Sequence, residues 1–254
     1  MIGRGRQLAV AHRIAQLYPD TDPRSISQVV EEQRPRMVQF DAPLPDSVLA
    51  ATADALRSAR EVALRAYGRA VDPSLGWLHG FEGIERLTID LWHVTSFDAL
   101  ASLPTLRELS LGQTLSRRPS LDVLHALDRL ELLHIEAHDR GFDAVSKLVQ
   151  LRQLHLRVPR VKTLNTLRGH PRLEVLAMHF GGIRDLAPLA DLPALRAFEA
   201  YQIRSLQTED LAPVGECRSL VAVSLGASTW SLETTTAGIN SLRPRRRSGA
   251  AHWS

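Results

Sequence analysis

The sequence predicts an α/β solenoid, a stack of short strand-and-turn repeats closed at its N-terminal end by helices. Three observations lead there. One six-residue apolar spacing recurs seven times at a nearly constant period, each copy is approached by apolar residues three apart, and the first 74 residues lack that spacing but carry helical patterning.

In chain order, Leu8 to Tyr18 and Ser25 to Glu32 read as short helices. "DAPLP" breaks the chain, and "DSVLAATADALRSAREVALRAYGRAV" from Asp46 reads as one long helix. Asp46 or Ser47 would cap it, and Val48, Ala51, Ala55, Val62 and Ala66 fall near one face. The repeats follow as "IERLTI" from Ile84, "LRELSL" from Leu106, "LELLHI" from Leu130, "LRQLHL" from Leu151, "LEVLAM" from Leu173, "LRAFEA" from Leu195 and "LVAVSL" from Leu220. Their starts lie 22, 24, 21, 22, 22 and 25 residues apart.

Within each unit the step of two is strand alternation. Before it runs a ladder such as Phe97, Leu100, Leu103, Leu106, or Leu186, Leu189, Leu192, Leu195, whose step of three suits a 3₁₀-like turn. A half-repeat, Leu75, Leu78, Phe81, Ile84, precedes the first unit. One unit alone cannot hide its leucines, whereas stacked units join them into a continuous apolar column. The organisation expected is therefore a helical cap over 1–74, a solenoid over 75–230 and a flexible basic tail over 231–254, with Trp230 covering the last repeat.

These units resemble the leucine-rich-repeat family, in particular its short bacterial repeats of about 22 residues with the pattern L-x-x-L-x-L. The resemblance implies a curved, right-handed solenoid with a parallel sheet on its concave side and turns on its convex side. It is specific for fold and not for function, which has to be argued from the residues of the open face. The chain departs from the family where an asparagine usually follows the strand: Trp92, Thr114, His138, Pro159, Gly181, Ile203 and Ser228 stand there.

With the leucines inward, the intervening strand residues face the concave solvent side. One column reads Thr88, Ser110, His134, His155, Ala177, Glu199, Ser224, and the next reads Asp90, Gly112, Glu136, Arg157, His179, Tyr201, Gly226. At an inter-strand spacing of about 4.8 Å, His134, Glu136, His155, Arg157, His179, Glu199 and Tyr201 form one patch with Phe180 beside it. Three readings stand open: a solvated sheet face, a partner-binding surface, and a metal or hydrolytic site using His134, His155 and Glu136. Against the metal, ligands on adjacent parallel strands lie in a row, and neither H-E-x-x-H nor repeated C-x-x-C occurs. The preferred reading is a protein partner on the concave face, with no cofactor and no metal. Its three histidines predict an affinity that changes between about pH 5.5 and 7.5.

Charge and cysteine usage narrow the classes further. Residues 81–230 carry 17 basic and 18 acidic side chains, so the body has no field for a polyanion. Four arginines in the tail, chiefly "RPRRR" at 243–247, are a weak nucleic-acid signal that leaves nucleic acid the lesser partner. Cys217, the only cysteine, falls on the inward ladder and reads as a buried thiol, as does His170 between Leu167 and Leu173 as a buried imidazole. With no apolar run long enough for a membrane span, the expected compartment is the cytoplasm; the oligomeric state is left open by the sequence, self-association through the C-terminal end of the solenoid being one alternative.

Overall fold

The computed structural model describes residues 6–203 and 206–226. The chain forms two compact units, Met1–Leu151 and Arg152–Ser254.

In the first unit the strands follow one another in sequence order: β1 (Val10–Ala11), β2 (Ile14–Gln16), β3 (Met37–Phe40), β4 (Ala63–Gly68), β5 (Arg86–Leu91), β6 (Glu108–Leu111) and β7 (Leu132–Glu136). The first pair is an antiparallel hairpin and each later pairing is parallel. Side chains alternate as a half-buried sheet requires: Leu87, Ile89 and Leu91 are buried while Arg86, Thr88 and Asp90 are half-exposed. The apolar ladders are 3₁₀ turns, and their step of three is the hydrogen-bond step itself. Leu100 N–H donates to Phe97 O at 2.9 Å, Leu103 N–H to Leu100 O at 3.0 Å, and Leu106 N–H to Leu103 O at 3.2 Å. Each buried leucine thus also closes a backbone turn.

The N-terminal region does hold helices at two of the three expected places, α1 (Pro23–Gln33) and α2 (Asp46–Ser58), but alternating with strands. Three expectations from the sequence fail in this region. Leu8 to Tyr18 is not a helix: His12 (φ 51°) and Arg13 (φ 64°) turn the chain between β1 and β2, and two consecutive left-handed residues are the geometry of a tight hairpin. The helix from Asp46 stops at Ser58, and residues 63–68 are β4, bonded to β3 on one side and β5 on the other. Val62, Leu64 and Ala66 fit an alternating strand as well as Val62 and Ala66 fit a helix face, so pairing on both edges decides. The cap position of α2 is Pro45, without a side-chain bond, rather than Asp46 or Ser47. Asp22 caps α1 by accepting from Arg24 N–H at 3.1 Å, with Pro23 opening the first turn.

Where the family places asparagine, other groups satisfy the turns. Thr114 Oγ1 donates to Trp92 O at 2.9 Å and accepts from Val94 N–H at 3.0 Å. His138 Nε2 donates to Gly112 O at 3.0 Å, its ring edge-on to Phe97. Along the strand entrances, the second residue of the first six units alternates in sign from Glu85 to Arg196. Glu85 meets Arg60 at 3.2 Å and Arg107 at 3.6 Å, and Arg107 also pairs with Glu131.

The second unit repeats the plan with β8 (Gln153–Arg157), β9 (Val175–His179), β10 (Ala197–Tyr201) and β11 (Ala222–Gly226), all parallel. Leu154, Leu156, Leu176, Met178 and Phe198 line its core, with Leu186, Leu189 and Leu192 on the turns behind. The alternation of sign continues with Arg152 against Glu174 at 2.8 Å. The asparagine places are apolar here: a Cβ on Gly181 would meet Pro159 Cγ at 2.6 Å and Ile203 Cδ1 at 3.5 Å, so only glycine lets those two close over it. Ser228, Trp230 and residues 231–254, including 243–247, lie outside the described residues.

Leu154 is fully buried and Leu115 is 64% exposed. Leu154→Ala should cost about 2–5 kcal/mol in denaturant unfolding and Leu115→Ala no more than about 0.5 kcal/mol. Similar losses from both would mean that Leu154 does not bear on a packed column.

Candidate functional site

Backbone register places the side chains of the second unit's open face. His155, Ala177, Glu199 and Ser224 form one row across β8–β11, and Arg157, His179, Tyr201 and Gly226 form the next. Both rows match the order read from the sequence.

At the strand exits the chain turns through left-handed residues, Val158 (φ 48°), Phe180 (φ 58°) and Gln202 (φ 52°). For side chains with a Cβ this costs about 1–2 kcal/mol each. The bonds Val158 N–H to His179 O (2.7 Å) and Phe180 N–H to Tyr201 O (2.9 Å) hold the turn. The turn leaves Phe180 40% exposed at the end of β9, where strict alternation after the half-exposed His179 would have buried it.

Three rings interlock there. Phe180 and Tyr201 meet edge to face with centroids 5.9 Å apart, and His179 lies 6.0 Å from Tyr201 and 6.4 Å from Phe180. The Arg157 guanidinium stands 5.5 Å over the Phe180 ring. Tyr201 is 42% exposed and leans over Gly226, where a Cβ would come within 2.3 Å of its ring. His179 Nε2 bonds Glu199 Oε1 at 3.1 Å. Burial pushes the His155 imidazole below its ordinary range, His179 adds to that, and Glu199 opposes it.

The remaining two residues of the sequence-derived patch, His134 and Glu136, stand on β7 of the first unit, with His134 in register with Ser110. Among the described residues no three His, Cys, Asp or Glu side chains gather where they would hold a metal ion. Cys217 is buried, its thiol pushed up by burial and by Glu216 and Asp191, both of which disfavour the thiolate. His170 is buried within the ladder.

Sequence reasoning missed the open face of β2–β5. Register aligns Gln16, Gln39, Arg65 and Thr88 across these strands, with Tyr67 and Asp90 in the following row. Successive partners Ile14, Met37 and Ala63, then Leu64 and Leu87, are separated by 23, 26 and 23 residues, which is the period of the repeats. That period was the available signal. It was hidden because His12, Pro35 and Glu61 occupy the place of the first leucine.

Among the described residues no helix is long and apolar enough to cross a membrane. No protein-family model matches the chain, and no curated protein does. Solved structures do. The chain is similar to internalin C2 from Listeria monocytogenes, with a TM-score of 0.57 and 19% identity over 75% of this chain and 80% of that one. It is also similar to TLR13 in a TLR13–ssRNA13 complex, with a TM-score of 0.54 and 16% identity over 81% of this chain but 30% of that one. With the parallel strands, the 3₁₀ ladders and the buried leucine columns, these likenesses make the chain a leucine-rich-repeat protein by fold.

Proposed function

We propose that the chain is a non-enzymatic binding module that takes a protein partner on the open face of its repeats. One observation carries this reading: Phe180, His179 and Tyr201 form an interlocked, half-exposed ring cluster backed by Arg157 on an otherwise polar face. Aromatic and arginine side chains held rigid before contact are what interface centres use, because they bury area while losing little freedom. His155 and Glu199 flank the cluster, while His134 and Glu136 on β7 of the first unit are separate candidates on that unit's open face. The similarity to internalin C2 and TLR13 supports the scaffold, while the partner's identity is left to experiment.

Affinity capture from the native host's lysate, with nuclease treatment, compares wild type with an Arg157→Ala/His179→Ala/Tyr201→Ala variant of matched thermal stability. A protein retained by the first, lost by the second and bound again as a purified component is the expected result. Equal retention by both removes the cluster from the site. A nuclease-sensitive catch would point instead to nucleic acid.

Because the folded state holds the His155 pKa below the ordinary value of about 6.5, the unfolded chain binds this proton first as pH falls. The stability His155 contributes is complete above that value and is lost as pH drops through it towards the lower folded pKa. His155→Gln should therefore flatten the loss of melting temperature between neutral and mildly acid pH. An unchanged slope would show that His155 titrates as it does in the unfolded chain.

A further inference from the structure

The open face of the first unit carries an array of different chemistry, independent of the ring cluster. Four planar polar side chains, Gln16, Gln39, Arg65 and Asp90, are locked end to end across β2, β3, β4 and β5. Gln39 Nε2 donates to Gln16 Oε1 at 3.0 Å, Arg65 Nη1 donates to Gln39 Oε1 at 3.3 Å, and Arg65 Nη2 donates to the Asp90 carboxylate. The Tyr67 hydroxyl also donates to Gln16 Oε1, at 3.0 Å, while Gln16 Nε2 donates to Asp41 Oδ1 and Leu17 O.

These bonds fix the geometry: Gln16 uses both of its donors and both of its lone pairs, while Gln39, Arg65 and Asp90 keep sites to spare. A primary amide has two N–H donors and two lone pairs, a guanidinium has five N–H groups and a carboxylate about four acceptor sites. Gln39 spends one donor and one acceptor site here, and Arg65 spends two N–H groups. Across from Asp90 the next strand supplies Gly112, where a Cβ would lie 2.7 Å from Asp90 Oδ1; only a glycine there accommodates the carboxylate in this position.

Rings bracket the array. Tyr18 at one end and Trp92 at the other are 38% and 45% exposed, each with an arginine stacked on one side, Arg6 at 4.1 Å and Arg69 at 3.6 Å. Tyr67 sits between them under Arg65 at 4.8 Å. The cations Arg6, Arg65 and Arg69 are matched in number by Asp20, Asp41 and Asp90, and Arg6 and Arg65 pair directly with Asp20 and Asp90.

We infer that this face binds a neutral oligosaccharide laid across β2–β5. A balanced charge gives no attraction for a polyanion or a polycation. Planar amide, guanidinium and carboxylate groups with spare donors and acceptors on adjacent strands are matched by the vicinal hydroxyls of a sugar, which both donate and accept. A pyranose also has a C–H face that packs on an exposed ring. Three inter-strand steps span about 14 Å, close to the length of a short run of pyranose units, and the site is formed before ligand arrives.

The test is retention of the full chain on a printed array of neutral hexose and N-acetylhexosamine oligosaccharides, at low and at high salt. At least one neutral glycan class should be retained equally at both. Gln39→Ala and Trp92→Ala, both at half-exposed or exposed positions that a folded chain tolerates, should each weaken binding about tenfold, the effect of losing about 1.4 kcal/mol. Phe180→Ala in the second unit should leave it unchanged, so failure here and failure of the protein-partner reading are separate results. The inference is overturned if no neutral glycan is retained, if retention is confined to charged glycans and vanishes with salt, or if both variants bind as wild type does.

Discussion

Everything in the molecule depends on the coupling of two periods, the two-residue alternation of a strand and the three-residue step of a 3₁₀ turn, in one column of leucines. A six-residue unit has too little surface to bury Leu151, Leu154 and Leu156 by itself. Stacking solves the burial problem, and the backbone follows: Leu151 N–H bonds Leu148 O at 2.8 Å and so ends the turn where the next strand begins. The side chain that is buried and the amide that closes the turn belong to the same residue. Register errors are costly because each would expose a leucine and open a hydrogen bond together.

That constraint frees the other face. Residues at alternate strand positions are held in rows by their neighbours' backbones, while their chemistry is unconstrained by packing. The two units use this freedom differently. The second presents rings edge to face around Tyr201, leaning over Gly226. The first presents a hydrogen-bonded mesh of Gln16, Gln39, Arg65 and Asp90. Small residues make both possible: Ala177 between His155 and Glu199, and Gly112 beside Asp90, leave room for longer neighbours.

The repeats from Ile84 onward were legible because leucine, isoleucine or methionine fills nearly every inward place, so periodicity alone sets face and register. Rows such as His155–Ala177–Glu199 could be written down from the sequence for that reason. The first three strands were not legible. Ala15 and Ala66 are fully buried but too small to mark a hydrophobic period, and His12, Pro35 and Glu61 stand where a leucine would announce the unit. Residues 62–66 satisfy helix and strand patterns equally, and only two flanking strands decide between them. Phe180 owes its exposure to a left-handed turn that no side-chain pattern encodes. The alternating signs of Glu85, Arg107 and Glu131 were visible, but as pairs they acquire meaning only once the strands are aligned.

β2–β4 belong to the same stacked ladder as β5 and β6. Native-state hydrogen exchange of the full chain reads this out, since amides in one cooperative ladder open together. The amides of Val38, Leu64 and Ala66 should be protected alongside those of Leu87 and Leu109, and Arg60 and Glu61 should exchange faster than residues 63–67. Uniform helical protection from Asp46 to Val71, or rapid exchange of all residues before Arg86, would contradict it.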